Sequence, residues 1–325
     1  MTKALITGGS GFIGSHLCEK LLDNGDHVTV LDNLATGRLE NIATLRPHPN
    51  FRFVEGSVLD VPLVNKLVEQ CDEIYHLASA VGVQLIIDQP VNTIQTIVDG
   101  TRIVLQAASQ TNKPILLTST SEVYGKGLKV PFSENDDVVL GPTSTRRWLY
   151  ASAKMLDEFL ALAHWYETKL PVIIVRLFNT VGPRQIGQYG MVVPRFVQKA
   201  LAGEPLTVYG DGQQARCFCH VSDATNAIIR LMDQPQSYGK VINVGSEEEI
   251  TILNLAKTII DMTQSKSQIT YLTYEQAYTQ GFEDMLRRVP DLTRAKELID
   301  HQPSYDLKGV IQSTIDYWSN QQHTS

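Results

Sequence analysis

The feature that most restricts the fold is Thr7-Gly8-Gly9-Ser10-Gly11-Phe12-Ile13-Gly14, a glycine-rich turn joining the apolar run Lys3 to Thr7 to an amphipathic stretch from Phe12 to Leu22. Glycines at these places allow a tight turn, bring backbone up against a pyrophosphate and let a helix pack closely on a strand. The helix that follows offers free N–H groups and a positive dipole end to the anion. A second strand, His27 to Leu31, is followed by Asp32, 18 residues after Gly14, where a carboxylate accepts from a ribose 2′-hydroxyl. The combination points to a dinucleotide. Because Asp32 repels a 2′-phosphate, NAD is favoured over NADP; Arg38 is the nearby group that would suit the phosphate.

Short apolar runs alternate with amphipathic ones along the next stretch. Phe51 to Val54, Glu73 to His76, Pro114 to Ser119 and Pro171 to Arg176 read as strands, with helices over Val91 to Ser109 and about Leu149 to Tyr166. This rhythm predicts an α/β chain with a Rossmann-type doubly wound parallel sheet, its strands continuous apolar runs because both faces are covered. After Asn179 the pattern shifts, through Gly182-Pro183-Arg184, to shorter elements. The division expected is therefore an NAD-binding domain over 1–178 and a smaller C-terminal α/β substrate domain over 179–325. Val241 to Val244 and the helical run Ile252 to Met262 read as a return to the first domain near 240–262.

Composition sets limits on partners. With 28 Lys+Arg against 35 Asp+Glu the net charge is −7, which argues against nucleic acid or an anionic membrane surface as partner. No run approaches the ~20 apolar residues of a membrane span. Cys18, Cys71, Cys217 and Cys219 are scattered; the last two, in a C-x-C arrangement on one strand face, read as buried thiols, and no metal site is expected. A cytoplasmic location follows as the expectation.

Two further clusters carry chemistry. Tyr150-Ala151-Ser152-Ala153-Lys154 sets a phenol and an ammonium four residues apart, on one face of a helix. A nearby Lys⁺ and a nicotinium charge favour the phenolate and make Tyr150 a usable proton acceptor. Thr118-Ser119-Thr120-Ser121-Glu122-Val123-Tyr124-Gly125 follows a buried strand at its carboxyl end, where open α/β sheets place ligands. Hydroxyls there suit a substrate oxygen, and Glu122 suits a proton or a charge. His76 and His220 read as structural residues at strand ends.

Together these segments resemble the extended short-chain dehydrogenase/reductases, in particular the nucleotide-sugar epimerases, dehydratases and decarboxylases. The likeness also rests on HLAS at 76–79, RLFNTVGPR at 176–184, YGDGQQARCFCHVSD at 209–223, and NVGS with TILNLA at 243–256. It implies that bound NAD takes a hydride from carbon 4 of a UDP-sugar while Tyr150 removes the hydroxyl proton. Lys154 would hold the nicotinamide ribose and Thr120 the reacting hydroxyl, with Ser121 and Glu122 beside them. Gly8, Gly11, Phe12, Ile13, Gly14, Asp32, Asn33, Leu77, Ala78 and Ser79 match cofactor positions. Asn179, Tyr209, Arg216 and Arg288 match positions for the sugar-nucleotide. A homodimer through the Val91 to Ser109 and Leu156 to Tyr166 helices is implied as well. Two departures are Gly56-Ser57, where the family usually has Gly-Asp, and Ile97, where Asn is frequent.

The residues after Thr120 bear on the reaction. Family 4,6-dehydratases carry Asp-Glu there, with the Asp as general acid; Ser121-Glu122 lacks that donor. Thr-Ser-Glu, with the Arg147-Trp148 lead-in to Tyr150 and Arg216-Cys217-Phe218, resembles UDP-glucuronate decarboxylases. A UDP-sugar 4-epimerase is the alternative, and a non-catalytic NAD-binding module, which would tend to lose Tyr150 or Lys154, is the third reading.

Overall fold

The computed structural model describes residues 1–79, 89–127, 129–187, 191–273, 276 and 285–322. Seven strands form one sheet: β1 (Lys3–Thr7), β2 (His27–Asp32), β3 (Phe51–Glu55), β4 (Glu73–His76), β5 (Ile115–Thr120), β6 (Val172–Leu177) and β7 (Lys240–Val244). All are parallel, in the order β7-β6-β5-β4-β1-β2-β3. The winding reverses between β1 and β4, and the crevice that opens there, at the carboxyl ends of the strands, is where a doubly wound sheet binds ligands. Register brings Thr7 level with Leu31 on one side and His76 on the other.

The longer helices among the described residues are α1 (Phe12–Asp23), α2 (Val61–Glu69), α3 (Gly100–Thr111), α4 (Trp148–Thr168), α5 (Val192–Leu201), α6 (Val221–Met232), α7 (Ile252–Met262), α8 (Thr293–Ile299) and α9 (Leu307–Gln322). Successive strand residues point to opposite faces, so both faces need cover. Ile6, Val30, Val175 and Val244 pack under Leu17 and Leu21 of α1, Ala224 and Ile228 of α6, and Ala295 and Ile299 of α8. Leu5, Ile74, Leu117 and Ile174 pack on the other face under Val64 of α2, Val104 and Ala108 of α3, and Ala161 of α4. A third core joins Val193 and Phe196 of α5 to Leu255 and Ile259 of α7 and Val310 and Ile311 of α9.

Three expectations are altered. Strand β7 pairs with β6, but α7 sits in the third core rather than on the sheet. Between the two lies the strand Glu249–Thr251, which pairs antiparallel with Ala215–Cys217 and carries the chain away from the sheet. It is α6 and α8, read from the C-terminal half, that cover the sheet there. Cys217 and Cys219 share no strand face: Cys219–His220 pairs separately with Thr180–Val181. All four thiols are free and buried, and burial pushes Cys71 and Cys217 up to about 12. The helix over Val91 to Ser109 is interrupted, running as Pro90–Ile94, a π-helical turn Gln95–Asp99, then α3. Among the described residues no helix is long and apolar enough to cross a membrane.

Candidate active site

The glycine turn is shaped by what glycine lacks. Gly8 has φ +75°, and a Cβ there would lie 2.8 Å from the Ala78 nitrogen; one on Gly14 would lie 2.3 Å from the Gly8 carbonyl oxygen. The first-turn N–H groups of Phe12, Ile13 and Gly14 have no acceptor within α1. Gly11, at the N-cap, has no side chain to satisfy them, and the first turn holds no acidic residue. Orphaned donors at the end of a backbone cradle fit the pyrophosphate of a dinucleotide.

Asp32 closes β2 with both oxygens engaged: Oδ2 accepts from the Ser10 N–H at 2.9 Å and Oδ1 from the Leu34 N–H at 2.9 Å. Burial raises its pKa and these two bonds oppose the rise. Arg38 is exposed and lies 3.8 Å from Glu40. The wall opposite is tied to β1, since the Leu77 N–H donates to the Thr7 carbonyl at 3.0 Å and the Ala78 N–H to Thr7 Oγ1 at 3.3 Å. Three predicted cofactor residues turn their side chains elsewhere. Ile13 packs against the first core, Phe12 sets its ring edge on His16, and exposed Asn33 accepts from the Ala35 N–H.

Tyr150 and Lys154 lie in the first two turns of α4. Burial holds the Tyr150 phenol far above its ordinary value, with the Glu122 carboxylate adding to the rise and the Ser79 hydroxyl opposing it. Lys154 is buried, and its Nζ donates to Asp157 Oδ2 at 2.9 Å. At the end of β5, Thr120 Oγ1 accepts from the Glu122 N–H at 3.2 Å, leaving its O–H to donate. Ser121 is buried beside it.

Glu122 is gripped by arginine. Arg147, the residue before α4, donates to both its oxygens, one of them at 3.2 Å, and Arg288 Nη2 lies 3.6 Å from Oε1. Burial alone would raise the carboxyl, but Arg147 and Arg288 win and lower it to about 2. Arg288 also donates to Asn179 Oδ1 at 3.5 Å, and Asn179 Nδ2 donates to the Cys217 carbonyl at 2.8 Å. Arg216 stands next to Arg288 in register, and its guanidinium donates to the Ala215 carbonyl at 2.8 Å. Glu122, Arg216, Arg288 and Asn179 are thus brought together. Tyr209 belongs to a different group: Arg195 lies 4.8 Å over its ring and donates to its hydroxyl at 2.7 Å.

His220 is structural, as expected. It caps α6 by accepting from the Ser222 N–H, stacks on Tyr305 at 3.8 Å and sits 3.1 Å from Ser313 Oγ. Sequence reading gave no role to Arg147, Arg195 or Asp157. Asp157 had a legible signal, since it follows Lys154 by three residues on a helix. Arg195 had none, because its contact with Tyr209 is made across the third core's elements.

A family model described as GDP-mannose 4,6 dehydratase matches residues 5–314. A UDP-N-acetyl-alpha-D-glucosaminuronate decarboxylase of Bacillus cytotoxicus is 44% identical over 317 residues, 97% of this chain and 97% of its own. UDP-glucuronic acid decarboxylase 1 of Danio rerio is 37% identical over 98% of this chain and 73% of its own. The solved structure of a UDP-glucuronic acid 4-epimerase from Bacillus cereus, in complex with UDP-glucuronic acid and NAD, superposes with TM-score 0.88 at 27% identity, covering 98% of this chain and 99% of its own. The chain belongs to the GDP-mannose 4,6-dehydratase family, within the extended short-chain dehydrogenase/reductases.

Proposed function

We propose that this chain is an NAD-dependent decarboxylase of UDP-hexuronates, acting on UDP-glucuronate or its 2-acetamido counterpart. The observation that carries the reading is Glu122, held as an anion between Arg147 and Arg288 directly after Thr120. Ser121 stands where the dehydratases carry their acid, and a Glu122 carboxyl lowered to about 2 does not replace it as a proton donor at neutral pH. Arginines converging on one carboxylate also suit a substrate that brings another. The decarboxylase relatives, matched over nearly the whole chain, support the same reaction.

The roles belong to the same proposal. The glycine turn, Asp32, Leu77, Ala78, Ser79 and Lys154 hold the dinucleotide, and Asn179, Arg216, Arg288 and Tyr209 hold the sugar-nucleotide. NAD, when bound, supplies a hydride acceptor and later donor at carbon 4, and a positive ring charge that favours the Tyr150 phenolate. Tyr150 takes the carbon 4 hydroxyl proton, and the Thr120 O–H donates to that oxygen. The sugar is then a β-keto acid: the bond from carbon 5 to the carboxylate breaks, carbon dioxide leaves, and the electron pair becomes an enolate. Thr120 and Tyr150 stabilise the enolate oxygen, and a proton returns to carbon 5. Residues 1–178 with β7 form the body that carries the dinucleotide, and 179–325 supply the sugar-nucleotide side.

Incubation with UDP-glucuronate and with UDP-N-acetylglucosaminuronate tests the proposal. The expected product is lighter than its substrate by one carbon dioxide. An isomer of unchanged mass would make the chain a 4-epimerase, the reading that the Bacillus cereus likeness favours.

A second copy of the chain is its proposed partner. On α4, Leu156, Phe159 and Tyr166 are exposed, and Val91 and Ile94 are exposed on the adjoining helical segment. These residues make one apolar face suited to a matching helix pair. Phe159→Lys is expected to halve the mass measured by light scattering; an unchanged dimer, or a monomeric parent, would refute the assignment. The buried free thiols suit a reducing compartment, which supports a cytoplasmic location.

A further inference from the structure

The ammonium of Lys154 is the end of a buried chain of polar side chains that crosses four elements. Its Nζ donates to Asp157 Oδ2 at 2.9 Å, and Thr101 Oγ1, from α3, donates to the same oxygen at 2.9 Å. His76 Nε2, at the end of β4, lies 3.1 Å from Thr101 Oγ1, and His76 Nδ1 lies 2.7 Å from Thr7 Oγ1 at the end of β1. Thr7, His76, Thr101, Lys154 and Asp157 are all buried.

The direction of every proton in this chain is forced. An ionised Asp157 only accepts, so the Thr101 O–H points to it and the Thr101 oxygen must receive from His76. The imidazole therefore carries its proton on Nε2 and accepts from the Thr7 O–H at Nδ1. Thr7 Oγ1 in turn accepts from the Ala78 N–H at 3.3 Å. Burial, with Lys154 nearby, lowers His76 to about 3, so the imidazole stays neutral and the relay keeps one polarity near neutral pH.

We propose that Asp157 is a positioning residue that holds Lys154 in place and ionised, and is itself fixed, through Thr101, His76 and Thr7, from the wall of the nucleotide crevice. The inference rests on the functional reading above in giving Lys154 a catalytic partner in Tyr150. Without the Asp157 carboxylate this ammonium would stay buried with no hydrogen-bonded counter-charge, an arrangement that disfavours the charged form. The charged and titratable groups around it are Tyr150, Asp157 and Glu158 on α4, His76 on β4 and, beyond Tyr150, Glu122 after β5. Asp157 is the one bonded to Nζ among the described residues. Glu158 is occupied by Arg176 at 2.7 Å.

The test uses Asp157→Asn in the full chain with its nucleotide, which keeps the shape of the side chain and removes its charge. The alkaline limb of kcat/KM against pH is expected to move to lower pH by at least ~1 unit, a tenfold change, with activity near pH 6 largely kept. A second readout needs no turnover. With its folded-state pKa depressed, Lys154 in the variant binds more protons unfolded than folded, so the variant gains stability relative to the parent as pH rises. The gap in Tm between the two is therefore expected to narrow from pH 7 to 10. An unmoved limb with uniform loss of activity, or a constant gap, would overturn the proposal. If Asp157→Asn does not fold, Thr101→Val decides by the same two readouts, with smaller shifts of the same sign expected and none overturning it. Should neither UDP-hexuronate turn over, the functional reading fails, while the Tm gap still decides the role of Asp157.

Discussion

Tyr150→Phe is expected to lower kcat for a UDP-hexuronate by about 10³-fold while leaving nucleotide content unchanged. The substitution removes one oxygen and keeps the ring, so the packing at the start of α4 is preserved. Under the proposed mechanism, what is lost is the proton acceptor for the carbon 4 hydroxyl. The phenol's position explains why the loss is large. Burial and the Glu122 carboxylate both disfavour its ionisation, so the site depends on nearby positive charge to make it a base. Steady-state rates, with NAD measured after heat release, check the expectation. Turnover within tenfold of the parent would remove Tyr150 from the chemistry.

Gly14→Ala is expected to cost the chain its dinucleotide. The added methyl would sit 2.3 Å from the Gly8 carbonyl oxygen and 2.7 Å from the Gly9 Cα, and both are backbone atoms that have no rotamer to yield. The turn must open, which separates the α1 N-terminus from the cradle it completes. Forcing atoms into a packed site costs about 1–3 kcal/mol in stability, too little to unfold a chain of this size. The predicted result is a folded protein, with Tm lowered by several degrees, whose NAD affinity falls at least ~100-fold. Titration of the nucleotide-free protein with NAD measures it. Parental affinity would mean that the turn does not hold the pyrophosphate.

Much of this was legible in the sequence, for identifiable reasons. Strands β1, β5 and β6 are nearly continuous runs of buried residues because both faces of the sheet are covered there, so no alternation appears. The glycine turn and the Tyr150 to Lys154 spacing are local, so their geometry follows from one turn and one helix. What escaped was non-local. The placement of α7 depended on the three-residue strand Glu249–Thr251, too short to register as a pattern yet enough to divert the chain into the third core. Arg147 stood in a noticed segment, but its task became visible only when Glu122, 25 residues earlier, was seen in its grip. The same holds for Asp157, whose partners Thr101 and His76 reach it from α3 and β4. The side chains of Ile13 and Asn33 turned to core and solvent, which the motif did not foretell.

The most direct measurement uses UDP-glucuronate, or its 2-acetamido counterpart, carrying deuterium at carbon 4. Transient oxidation at that carbon, with the hydride kept in the site and returned, predicts a pentose product that has lost carbon dioxide and retains the deuterium at carbon 4. Deuterium released to solvent, or a product that keeps its carboxylate, would contradict the assignment of Tyr150, Lys154 and Glu122 to a single decarboxylating site.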